Sequence, residues 1–161
     1  KALALSSPST KERFYNRFEE RGINRARIEL AQRVVTIEEH LSLYAGVDIA
    51  LDTFPYNGTT TTFEALWMGV PVITLMGQRH AARVGSSILL RLGLDDLVAE
   101  NYSDFVRRAS SLASNKTTLL ELRHNLRTIL TNSKFLNYDR FASRMEECYR
   151  DMWLTWCKSS D

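Results

Sequence analysis

Short apolar runs bounded by turn residues alternate with helical spacing through the first hundred residues, and from Leu94 onward helical spacing continues alone. Residues 9–21 predict a helix, with Phe14, Phe18 and Arg21 on one side. Ser9 and Glu12 stand at capping-box spacing before it, and Gly22 stands at its end. Arg27 to Leu30 is short enough to be a strand. Thr36 then offers a cap with Glu38 and Glu39 in the first turn, where the helix dipole favours acids, and that helix continues through His40, Leu41, Leu43 and Tyr44 to Gly46. Val47 to Thr53 is mostly apolar, as a buried parallel strand is. Residues 54–58 form a loop around Pro55 and Asn57-Gly58. A helix over Thr60–Met68 closed by Gly69, a strand over Pro71–Leu75, a turn at Met76–Gln78 and a helix over Ala81–Leu92 complete this part. The order strand, loop, helix, strand, loop, helix predicts a parallel α/β sheet. Residues 103–114, 117–131 and 137–157 then read as helices, the first capped by Ser103. The second carries Leu119, Leu122, Leu126, Ile129 and Leu130 at helical spacing, and the last is rich in aromatics. The expectation is one α/β unit over residues 1–100 with a helical tail over 101–161.

Composition narrows this little. The 161 residues are 44% hydrophobic and 25% charged, the balance of an ordinary globular domain with a core. Net charge is +2 and the basic residues are scattered, so the footprint of a nucleic-acid binder is missing. No apolar stretch is long enough to span a bilayer, and no signal-peptide pattern is visible. Cys148 and Cys157 have neither zinc nor redox spacing, which fits two reduced thiols in a cytoplasmic protein. No His/Cys/Asp cluster has metal-ligand spacing, so no metal and no other cofactor is expected.

The chemistry is concentrated in one loop. In open α/β sheets ligands bind beyond the carboxyl ends of the strands, where residues 54–62 and 76–80 fall. Gly58 permits close approach of a ligand to the backbone, and four threonines follow at a helix start. A helix N-terminus offers unpaired N–H groups and partial positive charge, and the hydroxyls add donors, so the place suits a phosphate. Glu64 lies within the first turns, where a carboxylate can accept from two vicinal ribose hydroxyls. The plainer alternative is that Thr59 or Thr60 merely caps the helix and Glu64 merely favours the dipole. His40 and His80 also have two readings each: His40 is structural or a nucleoside contact, and His80 is a packing residue or reaches the cleft.

The run from Val47 to Pro71, VDIALDTFPYNGTTTTFEALWMGVP, closely resembles the signature of the O-GlcNAc transferase and SPINDLY-like family. Arg79-His80-Ala81-Ala82-Arg83-Val84-Gly85 and Tyr149-Arg150-Asp151-Met152-Trp153 are similar to its bacterial members. The resemblance implies a Rossmann-like carboxyl-terminal lobe of a GT-B glycosyltransferase, incomplete on its amino-terminal side, with Lys1 just after an earlier strand. It implies tetratricopeptide repeats and a catalytic lobe upstream, a nucleotide-sugar donor (most often UDP-GlcNAc), no metal, and a protein serine or threonine hydroxyl as acceptor. Asn57 to Glu64 would grip the donor, with Thr59, Thr60 and Thr61 on the diphosphate and Glu64 on the ribose. His40 matches a histidine near the nucleoside. Some animal enzymes have histidine in place of Thr59, aspartate in place of Glu64, and a lysine where this chain has Ile37. Plant SPINDLY-like relatives use GDP-fucose, which makes that donor the alternative. From a different class, the rival reading is a non-catalytic interaction module on a retained scaffold. No residue present matches the family's catalytic base.

Overall fold

A computed structural model describes residues 7–31 and 34–159, so the expectation for Lys1 lies outside the described residues. The chain divides into two compact units, Lys1–Leu43 and Tyr44–Asp161.

In the first unit, helix α1 (Pro8–Glu19) starts one residue before the predicted cap. Pro8 takes the first turn, where its missing N–H costs nothing, and Ser7 rather than Ser9 becomes the N-cap residue, so the Ser9/Glu12 box does not form. Gly22 closes the helix at φ 75°, with Ile23 N–H donating to the Phe18 carbonyl. Glu12 instead meets Arg25, which also pairs with Glu19 and lies over the Tyr15 ring. The strand expected at Arg27–Leu30 is not present. Asn24 accepts from Ala26 N–H and starts a 3-10 turn over Arg25–Arg27, and residues 28–30 take no regular structure. Helix α2 (Ile37–Ser42) has the predicted start: Thr36 and Glu39 form a reciprocal capping box. The two backbone N–H groups that Glu39 accepts hold its carboxyl below the usual range.

The second unit is built on three parallel strands in the order β1 (Ala50–Leu51), β2 (Val72–Leu75), β3 (Val98–Ala99), with Ala50 opposite Val72 and Thr74 opposite Val98. Every residue of the middle strand β2 is buried. The run Val47–Thr53 shrinks to a two-residue strand. β3 answers to no apolar run picked out in the sequence, because two residues between Leu97 and Glu100 are too few to show a period. Helix α3 (Thr60–Trp67) ends at Gly69, whose φ of 76° supplies the left-handed closure. The helix predicted from Ala81 is in two pieces, a 3-10 turn over His80–Ala82 and helix α4 (Val84–Arg91).

Helices α5 (Tyr102–Ser114) and α6 (Lys116–Thr131) pack against the sheet. Leu112, Leu126 and Leu130 join Leu66, Ile73 and Leu89 in one core against the sheet. Asn101, not Ser103, caps α5, by accepting from Asp104 N–H. Arg123 of α6 donates to the Val47 carbonyl and Arg127 to the Trp67 carbonyl, tying α6 to the segment before β1 and to the end of α3. Helix α7 (Tyr138–Ser159) buries none of its residues; Tyr138, Phe141, Tyr149, Trp153 and Trp156 are exposed, and the two tryptophans stack. Among the described residues no helix is long and apolar enough to cross a membrane.

Candidate functional site

The loop after β1 is organised from below by two polar side chains. Asp52 ends the strand, its N–H donating to the Ile73 carbonyl. Its Oδ1 accepts from Gly58 N–H at 2.8 Å and from Thr53 N–H at 2.9 Å, and its Oδ2 accepts from Thr74 Oγ1 at 2.7 Å. One carboxylate therefore binds both ends of the loop to the middle strand. Asn57 is 2% exposed. Its Nδ2 donates to the Thr53 carbonyl, its Oδ1 accepts from Gly85 N–H, and its own N–H donates to the Ala81 carbonyl. The β1 loop is thus also fixed to the start of α4. Gly85 is required there: a Cβ on it would collide with Asp52 Oδ2 and lie 2.5 Å from Thr74 Oγ1.

Above this frame the start of α3 is open. Thr59 sits at the N-cap position with φ −116° and ψ −78°, and its side chain makes no capping bond. The plain threonine cap is therefore not what the residue does. Thr62 is buried and returns its hydroxyl to the Gly58 carbonyl at 3.0 Å, whereas Thr59, Thr60 and Thr61 are exposed. Gly58 has no room for a side chain, since a Cβ would stand 2.5 Å from Thr61 Oγ1. The first N–H groups of a helix have no intrahelical acceptor, so this start presents amides and hydroxyls to one place.

Glu64 is half-buried, four residues after Thr60 and so on the same face of α3. Tyr44 reaches it, its hydroxyl 3.4 Å from Glu64 Oε2 and 3.4 Å from the Thr61 carbonyl. Burial first, and then the negative charge of Glu64, push the Tyr44 hydroxyl's pKa up, so it remains a donor at neutral pH. Tyr44, Asp52, Gly58 and Thr61 line a small cavity beside β1.

The second loop closes on itself: Gly77 N–H donates to the Ala82 carbonyl and Arg83 donates to the Gly77 carbonyl. His80 is exposed at the start of the 3-10 turn and does not line the large cavity, of about 730 Å³, that lies over the ends of β2 and β3. His40 lies on α2 in the first unit, half-buried. Among the described residues no group of His, Cys, Asp and Glu is arranged to hold a metal ion.

The exposed donors stand together in the sequence, but their supports do not: Tyr44 falls near the end of a predicted helix, and Asp52 falls within the predicted strand Val47–Thr53. The spacing of Asp52, Gly58, Thr74 and Gly85 carries no local signal, because the fold alone brings them together.

The chain matches Glycosyl transferase family 41 over residues 5–145. It is 42% identical over 150 residues to a probable UDP-N-acetylglucosamine–peptide N-acetylglucosaminyltransferase SPINDLY from Arabidopsis thaliana, covering 93% of this chain and 16% of the relative. It is 32% identical over 134 residues to the UDP-N-acetylglucosamine–peptide N-acetylglucosaminyltransferase of Caenorhabditis elegans, covering 83% of this chain and 12% of the relative. A solved O-GlcNAc transferase mutant from Thermobaculum terrenum superposes with a TM-score of 0.89 at 38% identity, over 98% of this chain and 30% of that one. The chain therefore spans only a small part of the relatives it matches.

Proposed function

The chain belongs to glycosyl transferase family 41, and we propose that it is part of the nucleotide-sugar-binding lobe of a GT-B protein glycosyltransferase. In this reading the start of α3, from Gly58 to Thr61, holds the donor's diphosphate, and Glu64 holds its ribose. The observation that carries it is the exposed, uncapped Thr59-Thr60-Thr61 start with a Tyr44-supported carboxylate one turn along the same face. Asn57 contributes from beneath, by fixing the loop to α4, and His40 contributes near the nucleoside by the family resemblance.

As the bond between the sugar's anomeric carbon and the phosphate oxygen breaks, negative charge grows on the departing β-phosphate. Amide and hydroxyl donors fixed at the helix start stabilise that charge more than they stabilise intact donor, and so lower the barrier. The donors come already oriented because Asp52 and Asn57 hold the loop before any ligand arrives. The names of the relatives favour UDP-GlcNAc as donor and a peptide as acceptor; the family resemblance makes a serine or threonine hydroxyl the accepting group and GDP-fucose the alternative donor. The same resemblance leads us to expect a catalytic lobe and tetratricopeptide repeats elsewhere in the protein, and the two reduced thiols lead us to expect a cytoplasmic setting. Thr60→Ala or Thr61→Ala in the enzyme that carries this chain is expected to lower turnover by about tenfold or more, as losing one such donor does, with the melting temperature unchanged. Normal turnover with both alanines in place sinks the proposal.

A further inference from the structure

We propose that the cavity over the ends of β2 and β3 receives a large apolar side chain of the acceptor polypeptide, close to the hydroxyl that is glycosylated. This inference rests on the donor reading of the α3 start. A nucleotide sugar is a linear molecule: nucleoside, diphosphate, sugar. The sheet order β1-β2-β3 gives the carboxyl edge a direction, and the candidate groups fall along it. On the ribose side, Tyr44 lines the small cavity next to β1 and donates to Glu64, and the α3 start follows β1 through one loop. On the far side of the same loop, Phe54 and Tyr56 leave the phosphate place and enter the wall of the large cavity, which continues to Met76, Arg79 and Tyr102. Whatever lies beyond the phosphates on this side is the reacting end of the donor and what attacks it.

The cavity's lining chooses between the two. Its volume, about 730 Å³, is within the range of ligand sites. A sugar presents a hydroxyl at almost every carbon and calls for a polar lining, whereas this lining is mainly aromatic and aliphatic. Phe54 and Tyr102 meet edge to face, with ring centroids 5.8 Å apart, and Tyr102 is 68% exposed. Aromatic surfaces that open to solvent beside a few polar groups are what polypeptide recognition uses. Arg79, Glu100 and Asn101 at the rim supply donors and acceptors for a peptide backbone.

The test compares Tyr102→Ala with wild type in the enzyme that carries this chain. It uses two serine peptides that differ only in bearing leucine or asparagine beside the acceptor serine. Tyr102 lies at the exposed start of α5, outside the core, and plays no part in the donor site. The expected result is a rise of about tenfold in KM for the leucine peptide, the scale of one lost apolar contact. KM for the asparagine peptide, KM for the donor and the affinity for UDP stay unchanged, and Tyr102→Phe restores wild-type values. Equal KM values for the leucine peptide in wild type and Tyr102→Ala overturn the proposal. So does a change confined to donor KM, which assigns the cavity to the sugar. Failure of the wild-type enzyme to bind UDP or GDP is a separate outcome: it removes the donor reading and this inference with it.

Discussion

Removing the Asp52 carboxylate tests how the loop after β1 is held. Asp52→Ala deletes three hydrogen bonds, from Gly58 N–H, Thr53 N–H and Thr74 Oγ1. A hydrogen bond to a charged group contributes about 1.5–3 kcal/mol net. The Thr53 bond is exposed and is left out of the sum. The other two are part-buried and, at the low end, together give ~3 kcal/mol. Thr74 has no exposed surface, so its hydroxyl loses a partner that water does not replace. Asp52→Asn behaves differently: its Oδ1 still accepts from both N–H groups and its amide can donate to Thr74 Oγ1, which leaves a loss of ~1 kcal/mol. The expected pattern is a gap of ~2 kcal/mol between alanine and asparagine, a sizeable part of the ~5–15 kcal/mol by which domains are stable. Urea denaturation of the 161-residue chain, followed by circular dichroism, measures it. Equal stabilities for the two variants, or an alanine variant within ~0.5 kcal/mol of wild type, the ordinary surface range, refute the reasoning.

Other expectations follow from neighbouring contacts. Gly85→Ala drives a methyl group into Asp52 and Thr74 and is expected to cost ~1–3 kcal/mol by overpacking, read by the same denaturation. Tyr44→Phe removes the hydroxyl facing Glu64 and should weaken nucleotide binding several-fold in a calorimetric titration, with folding intact. The Asp104 carboxyl, hydrogen-bonded chiefly by Arg108 and also by Arg107 and Glu100 N–H, is held down from 3.8 to about 2. Its native pKa is depressed, so its stabilisation is complete above pH 3.8 and is lost as pH falls toward 2. Asp104→Asn should flatten that part of the acid-denaturation curve, and an unchanged slope argues against the pairing.

The elements that sequence displayed well were those with many residues per signal. The Thr36 cap with acids in the first turn, the helix-closing glycines Gly22 and Gly69, and the buried run at β2 are local patterns, and the structure has all of them. Where a tertiary partner decides, the sequence was mute or misleading. Glu12 turned from a capping residue into a partner of Arg25, and Ser9 yielded to Pro8 because proline prefers the first helical turn. Arg27–Leu30 was short enough for a strand, but Asn24 draws its start into the 3-10 turn Arg25–Arg27 and residues 28–30 take no regular structure. β3 is a strand by its pairing with β2, where Thr74 stands opposite Val98, Leu75 opposite Ala99, and Met76 N–H donates to the Ala99 carbonyl. The same divide runs through the site. Thr59, Thr60, Thr61 and Glu64 stand close together in the chain and could be read as one unit. Tyr44, Asp52 and Gly85 reach that unit from 20 residues before Glu64, six before Gly58 and 28 after Asn57, separations at which no periodicity connects them.

Donor binding at the start of α3 is the claim on which the rest depends. Calorimetric titration of the enzyme that carries this chain with UDP, GDP, UDP-GlcNAc and GDP-fucose, repeated with Glu64→Ala, examines it most directly. Selective binding of the uridine compounds, weakened at least tenfold in Glu64→Ala with the fold intact, is the expected result; selective guanosine binding with the same dependence keeps the site and changes the donor to GDP-fucose. Binding of none of the four by a folded protein, or binding that Glu64→Ala leaves untouched, contradicts the account.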